Sequence, residues 1–317
     1  MKLPFIDLHQ DLILHIRERD KIGQNKQTDF DMIRRSLGKI VVATAFPSPA
    51  DNDYLNPTIN DLIENDFREY QSFVSLNPGW KIITSAKDVQ TVLQTKGLIG
   101  LVLHVEGLNA ATPNDFFRLE KWFEMGWRSL GMVWNITNPL GGGTNDTTQG
   151  LTDFGRDMIQ WLEKKHMIID FAHMNAPTFW DAIKLVRGPV VVSHGNAQAL
   201  CNSPRNYTDD QLRAVASTGG VVGVFFANTF LVGRGNQGSV VDVANQIDHF
   251  RSVMGIDHIA LGTDFGGIIS GTPTDLSSLE DLPTLWQELK KRKYFQKEIE
   301  QIAWKNVARV FTDILKS

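Results

Sequence analysis

Along the chain, short runs of apolar residues alternate with longer stretches in which apolar positions recur every third or fourth residue. The runs fall near 5–8, 39–45, 98–103, 128–133, 167–171, 189–193, 220–225 and 258–262. The amphipathic stretches between them include TINDLIENDFREYQSFVS, PNDFFRLEKWFEMG, LTDFGRDMIQWLEKKH, TDDQLRAVAST and VVDVANQIDHFRSVMG. This order predicts parallel strands joined by crossover helices. Eight such strands within about 260 residues match the size of a TIM-like (β/α)8 barrel, whose reactive residues gather at the carboxyl ends of the strands.

An additional strand near 80–84 and a polar tract at 47–60 fit no simple repeat, and predict an excursion over 47–97 on one connection. From 276 to 317 the pattern is helical. Thr208-Asp209-Asp210 and Thr152 stand where helix caps are expected, and Pro177 and Pro273 near helix entries. No internal repeat, low-complexity tract or Pro/Gly/Ser linker divides the sequence, so 1–317 is expected to form one domain. The cluster Gly141-Gly142-Gly143 lacks the spacing of a phosphate loop and is expected to be a flexible loop beside the site.

Composition narrows the partner. The 317 residues are 42% hydrophobic and 21% charged, with a net charge of −4 and no run of like charges. Such a balance leaves no electrostatic footprint for nucleic acid or an anionic membrane, so a small soluble molecule is the expected partner. Cys201 is the one cysteine, which rules out an intrachain disulfide and fits a reduced, cytoplasmic compartment. No stretch approaches the ~20 apolar residues of a membrane helix, and no signal-peptide pattern precedes FIDLHQDL.

The ends of the predicted strands carry a distinctive set of side chains. His9 and Asp11 follow the first strand, Glu106 the third, Asn135 the fourth, His173 the fifth, His194 the sixth and Asp264 the eighth. In an extended segment residues two apart share a face, so His9 and Asp11 aim at one spot. Imidazoles and carboxylates suit two adjacent divalent ions, provided an anionic group bridges them and offsets their repulsion. His9 with Asp11 serves one ion, His173 with His194 the other, and Glu106 is the natural bridge. The nitrogen-rich set favours zinc, although manganese, iron or cobalt would accept the same donors. Taken singly, His173 and His194 read equally well as satisfied core histidines and Asp264 as a turn residue. Glu106 is harder to dismiss, because a carboxylate closing a buried strand is costly unless a cation or donors receive it. His104 shares the face of Glu106 and is a candidate support. His15, His166, His249 and His258 read as surface or packing residues.

The ordered series FIDLHQDL, LHVEGL, WNITNPLGGG, GLTDFG, IIDFAHM, PVVVSHGNA, RNYTDDQL, GGVVGVFF and HIALGTDFGG resembles the membrane (renal-type) dipeptidase family of the amidohydrolase superfamily, in particular its soluble bacterial members. The resemblance implies that His9, Asp11, Glu106, His173 and His194 bind two zinc ions with Glu106 shared. It implies that Arg205 holds the carboxylate of a dipeptide and that Asp264 handles the proton or the substrate's amino end. The expected reaction is hydrolysis of the peptide bond by a water activated between the metals, with Glu106 and Asp264 in the reacting centre. Trp134 stands where mammalian members carry a substrate-contacting histidine; indole donates one hydrogen bond but cannot titrate. Gly266 in TDFGG replaces the second acid of the usual D-F-D-G. Two other readings remain open: the same centre acting on a lactone, cyclic amide or phosphoester, and a metal-free barrel that only binds. Aromatic helices such as FFRLEKWF leave room for a homodimer.

Overall fold

The computed structural model describes residues 2–13, 27–46, 58–109 and 111–316. His15 and most of the polar tract 47–60 lie outside them. Nine strands are present among the described residues: Phe5–Gln10 (β1), Gly38–Ala45 (β2), Trp80–Ile82 (β3), Ile99–Glu106 (β4), Trp127–Gly131 (β5), Ile168–Asp170 (β6), Val191–Gly195 (β7), Val221–Val224 (β8) and Ile259–Leu261 (β9). They run in the order β2-β1-β9-β8-β7-β6-β5-β4, and pairing of β2 with β4 closes the ring. The result is the eight-stranded parallel barrel that the apolar runs predicted. β3 stands outside the ring. It pairs with Ile99, Gly100 and Leu101 of β4, while β5 begins its pairing only at Leu103. The additional strand therefore covers a stretch of β4 edge that β5 does not reach, where unpaired backbone groups would otherwise be left.

Helices fill the connections for local reasons visible in the sequence. In Asp153–Lys164 the Thr152 side chain accepts from the Gly155 N–H, and Phe154, Met158, Ile159 and Leu162 turn inward. Thr208 and Gln211 cap Asp209–Ser217 reciprocally. Pro177 occupies the first turn of Ala176–Ala182 behind an Asn175 cap. Pro273 does not begin a helix: a short 3-10 turn at Leu279–Asp281 leads into Leu282–Lys291, whose first turn holds Pro283 instead. The connection from β2 to β4 carries the helix Thr58–Leu76, then β3, then the helix Ala86–Gln94. Of the aromatic residues in FFRLEKWF, Phe117 alone is exposed. Among the described residues no helix is long and apolar enough to cross a membrane.

Ile6, Ile40, Val42, Val102, Ile168, Val191, Val221 and Ala260 form one buried cluster although they come from strands all round the ring. Such residues meet only inside the barrel. Val307, Val310, Phe311 and Ile314 of the terminal helix Asn306–Ile314 join the same cluster. Apolar packing thus fills one end of the interior and leaves the carboxyl ends of the strands to polar groups.

Candidate metal centre

β1 does not deliver His9 by simple alternation. Asp7 pairs with Val41 and Gln10 with Ala43, so three steps along β1 span two along β2. That bulge re-aims the strand end, a common device beside functional sites. His9 is fully buried and its Nε2 lies 3.9 Å from Asp11 Oδ2, 3.7 Å from Glu106 Oε2 and 3.7 Å from Asp264 Oδ1. Glu106, the last residue of β4, reaches the other pair with its second oxygen: Oε1 is 3.0 Å from His173 Nε2 and 3.6 Å from His194 Nε2. Residues scattered from 9 to 264 therefore converge, as their placement at strand ends predicted.

The groupings have the form of a shared site. His9, Asp11 and Glu106 bring ligand atoms within 4.8 Å of one another, and so do Glu106, His173 and His194. Glu106 belongs to both. The donor geometry and the electrostatics both suit a cation. His173 Nε2 and His194 Nε2 face each other at 3.0 Å, while their Nδ1 atoms are engaged by Asn135 Oδ1 and Ser193 Oγ, each at 2.8 Å. Asn135 Oδ1 can only accept, which puts the His173 proton on Nδ1 and leaves the Nε2 lone pair aimed at its neighbour. Burial holds the pKa values of His9, His173 and His194 well below the usual imidazole range, so they stand as neutral donors. Burial, with the charges of Asp11 and Asp264, pushes Glu106 well above the usual carboxylate range; burial and Asp11 do the same to Asp264, and burial raises Asp11 to about 7. Three carboxyl groups that resist ionisation beside three uncharged imidazoles fit divalent ions bound by nitrogen and oxygen.

Backbone conformation carries part of the design. His173 and Asp264 adopt φ of 63° and 60°, a region non-glycine residues seldom occupy, and such outliers gather at functional sites. Gly266 has φ 97°, and a side chain there would press on the Asp11 backbone. At Gly267 a Cβ would lie 2.2 Å from Asp11 Oδ2. Gly266, where the D-F-D-G motif has its second acid, thus sits at a tight turn against Asp11.

Arg205 is 3% exposed, and its Nη2 donates to the His194 carbonyl at 2.9 Å. Its Nε and Nη1 have no hydrogen-bond partner among the described residues. The Trp134 ring lies 6.1 Å from that of His173 and 5.3 Å from that of Phe46. The glycine cluster corrects the expectation of a flexible loop. A Cβ at Gly142 would meet the Gln149 carbonyl at 2.2 Å, and one at Gly143 the Trp134 carbonyl at 2.1 Å. These glycines let backbone pack on backbone, and Thr144 next to them donates to the His173 carbonyl at 3.0 Å. Sequence reasoning passed over Thr44, whose Oγ1 is 3.3 Å from His9 Nε2, Ser193, and Asp170 deeper in the barrel. Asp170 closes a buried apolar run, the same signal that singled out Glu106.

A family model described as membrane dipeptidase (peptidase family M19) matches residues 1–316. The chain belongs to that family. It is an enzyme of the metal-dependent dipeptidase type. A protein from the pqqA 5′ region of Klebsiella pneumoniae is 37% identical over 244 residues, covering 74% of this chain and 89% of that protein. An uncharacterized dipeptidase of Schizosaccharomyces pombe is 28% identical over 96% of this chain and 79% of its own length. Among solved structures, a dipeptidase of the same family superposes with a TM-score of 0.90 at 23% identity over the whole of both chains. A metallopeptidase from Rhodobacter sphaeroides, liganded with a phosphinate mimic of the dipeptide L-Ala-D-Ala, superposes with a TM-score of 0.87 at 23% identity over 99% of this chain and all of that one.

Proposed function

We propose that this dipeptidase works through two divalent ions, zinc by preference, held by His9, Asp11, Glu106, His173 and His194 with Glu106 between them. The observation that carries the reading is that Glu106 belongs to two donor groups, His9–Asp11–Glu106 and Glu106–His173–His194, each with its ligand atoms within 4.8 Å of one another. Held by these residues, divalent ions would supply Lewis-acid polarisation of a carbonyl and a water of pKa ~7. The chain's own groups do the rest. Arg205 offers its free N–H groups to the terminal carboxylate of the dipeptide, a match of cation and anion in a buried setting. Asp264, 3.7 Å from His9 Nε2, takes the proton of the attacking water and passes it to the departing amine. Trp134 presents an apolar wall beside His173 and supplies no proton.

The test is a panel of free and C-terminally amidated dipeptides, with L and D residues at the second position, assayed before chelation, after it, and after zinc is restored. Cleavage of free dipeptides that disappears with chelator, returns with zinc and does not extend to the amides is the expected result. Activity that survives full metal removal would refute the proposal, as would equal cleavage of the amides.

A further inference from the structure

One layer below the rim sit His104 of β4, Ser129 of β5 and Asp170 of β6, all buried. Asp170 Oδ1 accepts from the N–H groups of Ala172 at 2.9 Å and Ser193 at 2.8 Å. That leaves Oδ2, which lies 3.6 Å from His104 Nε2, while His104 Nδ1 lies 2.8 Å from Ser129 Oγ. His9, His104 and Asp170 each bring one ring nitrogen or carboxylate oxygen within 4.8 Å of the others. Since His9 Nε2 is turned to Asp11, Glu106 and Asp264, the nitrogen left for this side is Nδ1. His9 Nδ1 and His104 Nε2 are both buried without a hydrogen-bond partner among the described residues.

Buried ring nitrogens left unpaired are costly, and a pair of them facing one carboxylate oxygen is seldom an accident. Three atoms no more than 4.8 Å apart can all be reached by one water oxygen at ordinary hydrogen-bond length. Such a water would accept from His9 Nδ1–H and donate to Asp170 Oδ2 and His104 Nε2, with His104 Nδ1–H given to Ser129 Oγ. Both orphaned ring nitrogens and Asp170 Oδ2 would then be satisfied.

We infer that Asp170 and His104, through one bridging water, hold His9 in the tautomer protonated on Nδ1 and so reserve its Nε2 lone pair for the metal. They are positioning residues. Carboxylates in this relation to a ligating histidine fix its ring and raise its basicity. The inference rests on the reading of His9 as a ligand and is independent of which substrate is cleaved.

The experiment measures bound metal per chain against graded chelator, and kcat and KM for a dipeptide, in wild type, Asp170→Asn, His104→Leu and His104→Gln, with circular dichroism as the check on folding. Asp170→Asn and His104→Leu are expected to hold one of the two ions about 10–100-fold more weakly and to lose kcat with little change in KM. His104→Gln, which keeps a hydrogen-bonding group in place, is expected to recover most of the affinity. In zinc-loaded protein labelled with 15N-histidine, the proton on His9 Nδ1 should shift in Asp170→Asn. Folded Asp170→Asn and His104→Leu with wild-type metal affinity would overturn the inference. If Asp170→Asn does not fold, the contrast between His104→Leu and His104→Gln decides it alone. A wild-type chain that binds metal without cleaving dipeptides removes the substrate reading only; one that binds no metal removes this inference as well.

Discussion

Replacing Arg205 by Met separates substrate recognition from architecture. Arg205 is buried, spends Nη2 on the His194 carbonyl, and holds Nε and Nη1 without partners among the described residues. A substrate carboxylate received there forms a desolvated ion pair. Breaking such a pair by removing one member costs about 3–5 kcal/mol, since a charge is left buried and alone. At about 1.4 kcal/mol per tenfold, kcat/KM for a free dipeptide should fall between a hundredfold and a few thousandfold, chiefly through KM. In the folded chain the terms offset one another. Met fills the aliphatic part of the Arg205 site and stops short of the guanidinium; the lost charged hydrogen bond to His194 is worth about 1.5–3 kcal/mol and the buried cation over the Phe225 ring at 5.7 Å about 2 kcal/mol, while relief from burying a guanidinium works in the opposite direction. Steady-state kinetics on a dipeptide and on its amide, with thermal melts of both proteins, checks the reasoning. The melting temperature should move by only a few degrees, and the already poor cleavage of the amide should hardly change. An Arg205→Met protein with an unaltered dipeptide KM, or one that loses both substrates equally, would refute the assignment of Arg205.

Three further outcomes are expected. Asp264→Asn should lower kcat by about 10²–10⁴ while metal per chain stays at the wild-type value, the signature of a proton carrier; loss of an ion in that variant would reassign Asp264 as a ligand. In chelated protein the lowered pKa values of His9, His104, His173 and His194 oppose the raised ones of the acids below about pH 6.5; above it Asp11, raised to about 7, with Glu106 and Asp264, raised well above the usual carboxylate range, leaves the folded state with more protons, so stability falls as pH rises through about 7. Melting temperature without metal should drop as pH rises from about 6.5 to about 8 and recover on adding zinc; a profile that rises there would contradict the burial argument. Gly143→Ala must push a methyl group into the Trp134 carbonyl. It should cost about 1–3 kcal/mol in denaturant unfolding with reduced activity, whereas a flexible loop would absorb the change unnoticed.

The order of apolar and amphipathic segments determined the barrel, because parallel strands buried on both faces leave unbroken apolar runs and the helices that cover them leave a one-sided apolar stripe, each legible in a single stretch of chain. The kinds of donor at the strand ends, imidazole and carboxylate with no thiolate among them, determined the class of chemistry. Several features answer to no local pattern. The bulge that turns His9 inward depends on how β1 registers against β2. The left-handed backbone at His173 and Asp264 is imposed by their surroundings. Gly141–Gly143 reads as a loose loop until the carbonyls of Gln149 and Trp134 are seen lying against it. Closing the ring sets Asp7 against Thr263, whose N–H and hydroxyl both donate to it across 256 residues of chain. That same closure brings His9, His104 and Asp170 around one point, because contacts between distant strands arise from the shape of the barrel and leave no mark on the spacing of residues along it.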